Sequence, residues 1–401
     1  MTIDAASPNA PVTNADRAAV VAVAIGVSVV GLSVFLALPV MLGALADHYR
    51  LDDAQIGYLG SAELAGIAAS SMTVSAVLTR FRTSSLCAFG LTLMVAGALT
   101  TSLSVPFVLL AGSRLIGGFG GGLCYSSCLA FIGGMKQAER KYSVLIFLQV
   151  LVTGIELYCF PRLGLRGMFW AVAALGTLAL AVVGLLRAPP AHAQASAGRA
   201  MPIPRERLPG IALVLGAVLV FYVMIGSVWS YLERIGTSLG YSQVTVGEAL
   251  SYGNFLSLLG CAAAYLLSRR FGVRVPLLAA LAAMSLSLLM MASSLSPVTY
   301  LVGLAVFFLL WNFVDIYQLG VLSALDPSTR APALVPAAQG VGLTIGPALS
   351  GMWLVSAGTK HHYANVLWLG GGCTLIALLL SAGAHVRGRG AIRTCINAAS
   401  R

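Results

Sequence analysis

Long apolar stretches separated by short polar turns run from about residue 18 to residue 386 of the chain. A helix of roughly 20 apolar residues crosses the hydrocarbon core of a bilayer, so each stretch of that length predicts one transmembrane helix. The pattern predicts twelve spans, at 18–45, 55–78, 84–104, 106–134, 143–163, 167–186, 209–232, 245–267, 276–295, 298–325, 332–356 and 363–386. The predicted fold class is therefore an all-α integral membrane protein.

The polar segments predict how the spans are grouped. Residues 187–208 are rich in Pro, Ala and Arg, which indicates a linker between two six-helix bundles at 18–186 and 209–386. Residues 1–17 are polar and are expected to form a disordered tail. They lack the basic start of a signal peptide, and the apolar run that follows is too long for a signal-peptide core, so that run is expected to be retained as the first span. Residues 387–401 are expected to form a basic tail.

The composition supports a membrane protein: 58% of the 401 residues are hydrophobic and 9% are charged, against about 25% charged in soluble domains. The formal charge of +11 does not indicate nucleic-acid binding, because the basic residues cluster in short segments between the spans. With a cytoplasmic N-terminus, 18 of the 24 Lys and Arg residues fall in inside segments and five in outside segments. The positive-inside rule then predicts a multi-pass bacterial inner-membrane protein with both termini in the cytoplasm.

Metal and cofactor chemistry has no sequence signal. The seven cysteines form no CxxC pair and no Cys/His ligand set. His361 and His362 lie in the last outside loop, and two histidines alone do not make a metal site. No metal, cofactor or nucleic acid is expected.

Three short motifs resemble those of the major facilitator superfamily. Residues 114–122 of span 4 read RLIGGFGGG, similar to that family's R-x-x-x-G-x-G pattern, and residues 78–82 (LTRFR) and 270–274 (RFGVR) resemble its basic loops after spans 2 and 8. The resemblance implies two pseudo-symmetric six-helix bundles, alternating access and a monomer. It also implies a gating role for the loop of Arg80 and Arg82, although Thr79 stands where the family usually has an acid.

Internal duplication agrees with this plan, because Arg140 precedes Gln149 and Arg330 precedes Gln339 by the same nine residues. Small residues on two spans are expected to permit close helix packing, which also lets packed helices slide past each other. These gating or packing candidates are Gly118, Gly120, Gly122, Gly342, Gly346 and Pro347.

Charged residues inside spans need a reason, because each costs at least about 2.5 kcal/mol on insertion scales. Arg114 is interpreted either as a cation that faces a cavity and holds an anionic substrate, or as a structural arginine paired with a neighbouring acid. Glu156 is interpreted as a proton carrier or as the static partner of Arg114. Glu63, nearer the outer mouth, is a proton carrier or a partly hydrated gate residue.

Span 10 carries the sharpest candidate substrate site. Trp311, Asp315 and Gln318 follow i, i+4, i+7 spacing and so share one helical face, with Asn312 beside them. An aromatic plate next to hydrogen-bonding groups and an acid is suited to orienting a small organic molecule. The alternative is a polar clamp between helices. Asp315 is also predicted to couple transport to protons.

Further candidates for substrate contact lie on other spans. Tyr222 and Trp229 lie on one face of span 7, although Trp229 is equally consistent with the membrane interface, where Trp is enriched. Asn254 is a candidate on span 8, and Gln149 and Gln339 are either symmetric cavity residues or interhelical hydrogen-bonding residues. Glu233 and Arg234 are expected to be exposed charges at the outer end of span 7.

The function that these features favour is secondary active transport of a small organic solute by alternating access. Intramembrane carboxylates favour proton coupling, and Arg114 favours uptake of an organic anion. Efflux of a drug or metabolite in exchange for protons is the alternative. An enzyme is disfavoured because no histidine cluster or nucleophile–base pair is present, and a receptor because no loop is long enough for a signalling domain. The expected partners are lipid bilayer, solute and protons.

Overall fold

A computed structural model describes residues 14–135, 137–186, 207–326, 331–357 and 363–399, with side chains omitted at 14–17, 139, 269, 333 and 385–399. In these ranges the chain is helical and contains no strand. The helices are α1 (Asn14–Leu36), α2 (Leu38–Tyr49), α3 (Asp53–Val77), α4 (Thr83–Ser102), α5 (Phe107–Gly133), α6 (Ala138–Val182), α7 (Leu208–Ser238), α8 (Gln243–Phe271), α9 (Arg274–Ser293), α10 (Pro297–Leu325), α11 (Val335–Ala357) and α12 (Tyr363–Ala399). Two 3-10 turns lie at Val183–Leu185 and Pro332–Leu334.

Nine helices of the described ranges are long and apolar enough to cross a membrane, and α6 alone has the length for two crossings. Helices α3 and α11 fall outside these nine and pack against each other. The predicted all-α membrane fold is therefore confirmed.

The predicted span boundaries need two corrections, at the first and the last span. The span at 18–45 is two helices, because the backbone breaks at Ala37 just before Pro39 and α2 then continues to Tyr49. The predicted separation of spans 5 and 6 agrees with the structure, because Gly164 divides α6 with φ 66° and ψ 174°, a conformation that glycine adopts readily. The last helix continues to Ala399 and so includes most of the predicted tail.

Several predictions fall outside the described residues. These are the structure of the N-terminal tail to residue 13, most of the linker (187–206), the side chains of the basic tail, Arg330, and the histidines at 361 and 362. The grouping of the chain into two bundles stays a prediction. For description, we call residues 14–186 the first half and residues 207–399 the second half.

The chain crosses the molecule back and forth, with α1 and α2 forming one crossing and α6 forming two, which defines two ends of the molecule. We call the end at which α1 begins the base, and the end that holds the α2–α3 and α7–α8 turns the top. Three helices begin near the top with side-chain caps: Asp52 accepts a hydrogen bond from the Gln55 N–H, Ser242 from the Thr245 N–H and Ser296 from the Thr299 N–H. Such caps satisfy N–H groups that have no partner within the helix.

Glycines set how closely the helices pack. A Cβ at Gly118 of α5 would overlap the Glu63 carbonyl oxygen of α3, and a Cβ at Gly120 would overlap the Gly90 carbonyl oxygen of α4. On α11, a Cβ at Gly342 or Gly346 would overlap a carbonyl oxygen of α7. Backbones approach this closely only where side chains are absent.

Candidate functional site

A cavity of about 380 Å³ lies between the two halves of the chain. Helices α1, α5 and α6 of the first half and α7, α8 and α10 of the second half form its wall. The lining residues are Phe35, Leu36, Tyr125, Ile146, Gln149, Val150, Thr153, Tyr222, Trp229, Asn254, Ser257, Cys261, Phe308, Trp311, Asn312, Asp315 and Ile316. The volume lies in the range of pockets that hold small organic ligands.

Five aromatic side chains close this cavity toward the top, and we call Phe35, Trp229, Phe307, Phe308 and Trp311 the aromatic roof. The Trp229 and Trp311 rings meet edge to face with centroids 5.6 Å apart, and Trp229 stacks on Phe307 at 6.4 Å. Trp229 is nearly fully buried in this cluster, so its side chain packs inside the protein and not against lipid.

A hydrogen bond in the aromatic roof joins the two halves. The Trp229 Nε1–H donates to the Phe35 carbonyl oxygen at 3.1 Å. In an unbroken helix that carbonyl would accept from the N–H of residue 39, but residue 39 is proline, which has no N–H. The break between α1 and α2 therefore leaves a backbone acceptor that the second half fills.

Above the roof, a layer of polar contacts joins the halves; we call Asp47, Asp53, Arg234, Gln243 and Tyr363 the upper polar layer. Asp47 accepts hydrogen bonds from Arg234 and Gln243, each at 2.6 Å. Tyr363 donates to the Asp53 carboxylate at 2.9 Å. The roof and this layer close the cavity at the top.

Glu233 differs from its sequence interpretation, because its side chain is only 1% exposed. The carboxylate lies 3.4 Å from Arg234 Nε and occupies the space that a side chain at Gly43 of α2 would fill. The prediction that Glu233 is an exposed charge at the helix end is therefore wrong, because α2 packs on α7 and covers this side chain.

Toward the base the cavity is more open, since Ile146 and Ile316 of its wall are exposed. At middle depth two hydrogen bonds cross between the halves. Asn254 donates to the Val150 carbonyl oxygen and Ser251 donates to the Gly154 carbonyl oxygen, each at 2.7 Å. These bonds hold α8 against α6 beside the cavity.

Asp315 is the acidic residue of the cavity wall. Its Oδ2 accepts a hydrogen bond from the Tyr222 hydroxyl at 2.5 Å. Its Oδ1 has no hydrogen-bond partner among the described residues. One carboxylate oxygen thus accepts a hydrogen bond from α7, while the other is buried without a hydrogen-bond partner among the described residues.

Seven of the ten predicted substrate-contact residues lie in this wall: Trp311, Asn312, Asp315, Tyr222, Trp229, Asn254 and Gln149. Arg114, Gln318 and Gln339 lie outside it. Gln318 is buried, and neither of its side-chain polar atoms has a hydrogen-bond partner among the described residues. Gln339 is half-buried on α11, so the pseudo-symmetric pairing of Gln149 with Gln339 does not place both in the cavity.

Arg114 is paired elsewhere. Its Nη2 lies 2.9 Å and its Nε 3.1 Å from Glu63 Oε2, with both side chains almost fully buried. Its guanidinium also stacks over the Phe169 ring, 5.0 Å from the centroid. The partner of Arg114 is therefore Glu63, not Glu156.

Glu156 is buried on α6, where its carboxylate lies near the Ser33 hydroxyl of α1. Neither carboxylate oxygen makes a well-aligned hydrogen bond to a described residue. Glu156 does not line the cavity. Arg80 and Arg82 are exposed in the turn between α3 and α4 at the base.

The sequence interpretation missed several wall residues that helical spacing could have found. Ser257 and Cys261 follow Asn254 by three and seven residues, and Thr153 follows Gln149 by four, so each pair or triplet shares a face. Phe35 gave no such signal, because it enters the wall through the helix break at Ala37.

The fold is similar to that of several transporters of known structure. The nucleoside transporter NupG superposes with a TM-score of 0.73 at 13% identity, covering 91% of this chain and 99% of that chain. A bacterial homologue of the human lysosomal transporter Spinster gives 0.74 at 15% identity, with 94% and 98% coverage. A D-xylose–proton symporter gives 0.70 at 16% identity, with 91% and 97% coverage.

Sequence comparison gives the family directly. No curated protein matches the chain significantly. The family model of the Major Facilitator Superfamily matches residues 23–326, more than half of the chain. The chain therefore belongs to the Major Facilitator Superfamily, and it is a membrane transporter and not an enzyme.

Proposed function

We propose that this transporter moves a small organic solute by alternating access and couples the movement to protons through Asp315. The observation that carries the proposal is the cavity between the halves, whose wall combines aromatic rings, amide and hydroxyl groups, and one carboxylate. A solute bound there contacts both halves at once. Its release to either side then depends on which end of the cavity is closed.

The conformation supports the access part of the proposal. The aromatic roof and the upper polar layer close the top, while the cavity wall is exposed toward the base. We propose that the base faces the cytoplasm, because the basic segments predicted to lie inside belong to that end. The structure then represents an inward-open state.

Asp315 is proposed as the coupling group because it is the cavity acid and one of its oxygens has no partner among the described residues. A carboxyl group in such a place can take a proton from one side and release it to the other as access alternates. Glu156 is proposed as a second proton site. The Glu63–Arg114 pair is less suited, since its charges already neutralise each other.

The preference for an organic anion receives no support from the cavity. That preference rested on Arg114, whose charge is matched by Glu63 outside the wall. No described residue of the wall is Arg, Lys or His. An anion in this cavity would meet the Asp315 carboxyl group with no basic side chain to compensate.

The test is solute-driven pH change in proteoliposomes of purified protein, with organic acids, sugars and organic amines as solutes. We expect one class to move protons, and Asp315→Asn to slow that proton movement at least about tenfold, or 1.4 kcal/mol in the barrier. Glu156→Gln reports on the second proposed site. Asp52→Asn is the matched control, since it makes the same chemical change at a helix N-cap where Asn serves equally well.

Two outcomes would contradict parts of the proposal. Labelled-solute counterflow without any proton movement would make the protein an uncoupled facilitator. Proton movement that survives Asp315→Asn unchanged would exclude Asp315 as the coupling group.

A further inference from the structure

The charged residues of the cavity wall determine which charge on a solute the wall can neutralise. Of the 17 wall residues, Asp315 is the acid and none of these described residues is basic. The remaining polar wall groups are amides, hydroxyls, two indoles and one thiol, which carry no charge at neutral pH. A solute with a positive charge is therefore the one that this wall can neutralise.

The basic side chains buried nearby do not offset Asp315. Arg114 is matched by Glu63 at 2.9 Å. Arg234 is matched by Asp47 at 2.6 Å and lies beside Glu233, above the aromatic roof. Each of these cations is already paired, so the cavity wall carries one uncompensated negative charge whenever Asp315 is ionised.

The aromatic rings of the wall suit the same kind of solute. Phe35, Trp229, Phe308 and Trp311 line the upper part of the cavity, and Tyr125 and Tyr222 line its middle. The faces of aromatic rings attract organic cations and pack against flat apolar groups. Asp315 lies one helical turn below Trp311 on α10, so a charged head and an apolar body of one molecule can reach both.

We propose that the transported solute is an organic cation, a protonated or quaternary amine with an aromatic or apolar body, whose charge pairs with Asp315. This inference rests on the proposed function of the cavity. Tyr222 donates to Oδ2, and Oδ1 is buried without a hydrogen-bond partner among the described residues, so the negative charge of the carboxylate is not compensated by any cation of the wall and is left for the solute to neutralise.

The pairing makes proton and solute compete for one carboxylate. Binding of the cation to protonated Asp315 releases one proton, because a neutral carboxylic acid does not neutralise the bound charge. The coupled reaction is then an exchange of one proton for one monovalent cation, without net charge movement. Of the two directions considered from the sequence, exchange corresponds to efflux against protons and not to uptake with them.

A pH dependence of solute binding can be assigned to Asp315 because few other titratable groups face it. Tyr222 faces it from α7, Cys261 from α8 and Tyr125 from α5 across the cavity. The one ionisable residue on α9 is Arg274, at the base end of that helix. Phenols, thiols and guanidinium groups ordinarily titrate above pH 8, so a change in the charge of the cavity wall between pH 5 and 8 is assigned to Asp315.

The experiment measures binding of phenyltrimethylammonium to the purified protein in detergent between pH 5 and 8, by calorimetry. Benzyl alcohol and benzoate are the neutral and anionic probes of similar shape. We expect the cation to bind at least about tenfold more tightly than either, and its affinity to rise by up to about tenfold per pH unit while Asp315 is protonated. Asp315→Asn is expected to abolish both effects, whereas Asp315→Glu retains the pH dependence.

The outcomes separate this inference from the proposed function. Tighter binding of benzoate or benzyl alcohol than of the cation, no binding of the cation, or cation binding that does not change with pH, overturns the inference. Counterflow of a labelled neutral solute in proteoliposomes would show that the protein still transports. Folding of each variant is checked by its thermal unfolding, so loss of binding in a folded Asp315→Asn protein reports on the charge.

Discussion

Glu63 and Asp315 are both carboxylates inside the helical bundle, and each has one buried oxygen without a hydrogen-bond partner among the described residues, but Glu63 has a cation beside it whereas Asp315 borders a cavity without one. Glu63 lies against Arg114 at 2.9 Å, with both side chains buried and α3 and α5 packed closely around them. Asp315 borders a cavity of about 380 Å³, accepts one hydrogen bond from Tyr222 and has one oxygen without a partner among the described residues.

The comparison shows that an acid within a span is not by itself a sign of function. In a buried ion pair, the attraction between the two charges offsets much of the free energy lost when each charge leaves water, and the pair contributes to a fixed helix interface. The carboxylate of Asp315 has no cation beside it in the cavity wall, so the cost of its charge is not met within the fold. The two acids therefore differ in whether the protein itself compensates the charge.

The largest expected effect is a loss of stability when the Glu63–Arg114 ion pair is broken. Arg114→Met leaves Glu63 without its cation and is expected to destabilise the protein by about 3–5 kcal/mol, because a buried charge remains unpaired. Thermal unfolding in detergent measures the loss. Arg80→Met is the control, since Arg80 is exposed and its removal should leave the unfolding temperature nearly unchanged.

The double variant Glu63→Gln/Arg114→Met sharpens this prediction. Removing both charges should recover most of the lost stability. A double variant as unstable as Arg114→Met would mean that Arg114 acts through its packing on Phe169 and not through the ion pair.

The next effect concerns the close packing around the pair. Gly118→Ala places a Cβ against the Glu63 carbonyl oxygen and is expected to cost about 1–3 kcal/mol of stability through overpacking. Gly112→Ala on the same helix meets nothing within 4 Å and is expected to gain up to about 1 kcal/mol, since alanine favours helix over glycine. Equal unfolding temperatures for the two variants would argue against close packing at Gly118.

The smallest effect concerns the upper polar layer, which closes the cavity of Asp315 at the top. Asp47→Asn weakens the partly exposed pair with Arg234, which is worth about 0.2–1 kcal/mol. This should raise the population open at the top by up to about fivefold. Spin labels at positions 48 and 238, in a cysteine-free background, report the separation of the two halves at the top.

For that measurement, Asp52→Asn again serves as the control, because Asp52 caps α3 and does not belong to the upper polar layer. A distance distribution that Asp47→Asn leaves unchanged would mean that the aromatic roof alone determines closure.

The sequence predicted well whatever depends on one helix at a time. Hydropathy located the spans, and the spacing of Trp311 and Asp315 placed both on the face that lines the cavity. The same spacing included Gln318, which lies outside the wall, because helical periodicity gives a direction but not how far along the helix a cavity extends.

The sequence did not predict which residues on different helices contact each other. Glu63 and Arg114 are 51 residues apart, and no pattern within either helix identifies the other as partner. Glu233 was predicted to be exposed because it lies near a helix end, but Gly43 of α2 lets α7 approach and bury it. Such pairings depend on which faces meet, and that information belongs to the tertiary structure.

The hydrogen bond between Trp229 and the Phe35 carbonyl oxygen has a practical consequence for mutagenesis. One of its two partners is main chain, so replacing the Phe35 side chain leaves the acceptor in place. The residue that makes this acceptor available is Pro39, four positions further along and not itself a wall residue. A scan of cavity side chains would therefore test the donor Trp229 but neither the main-chain acceptor nor Pro39.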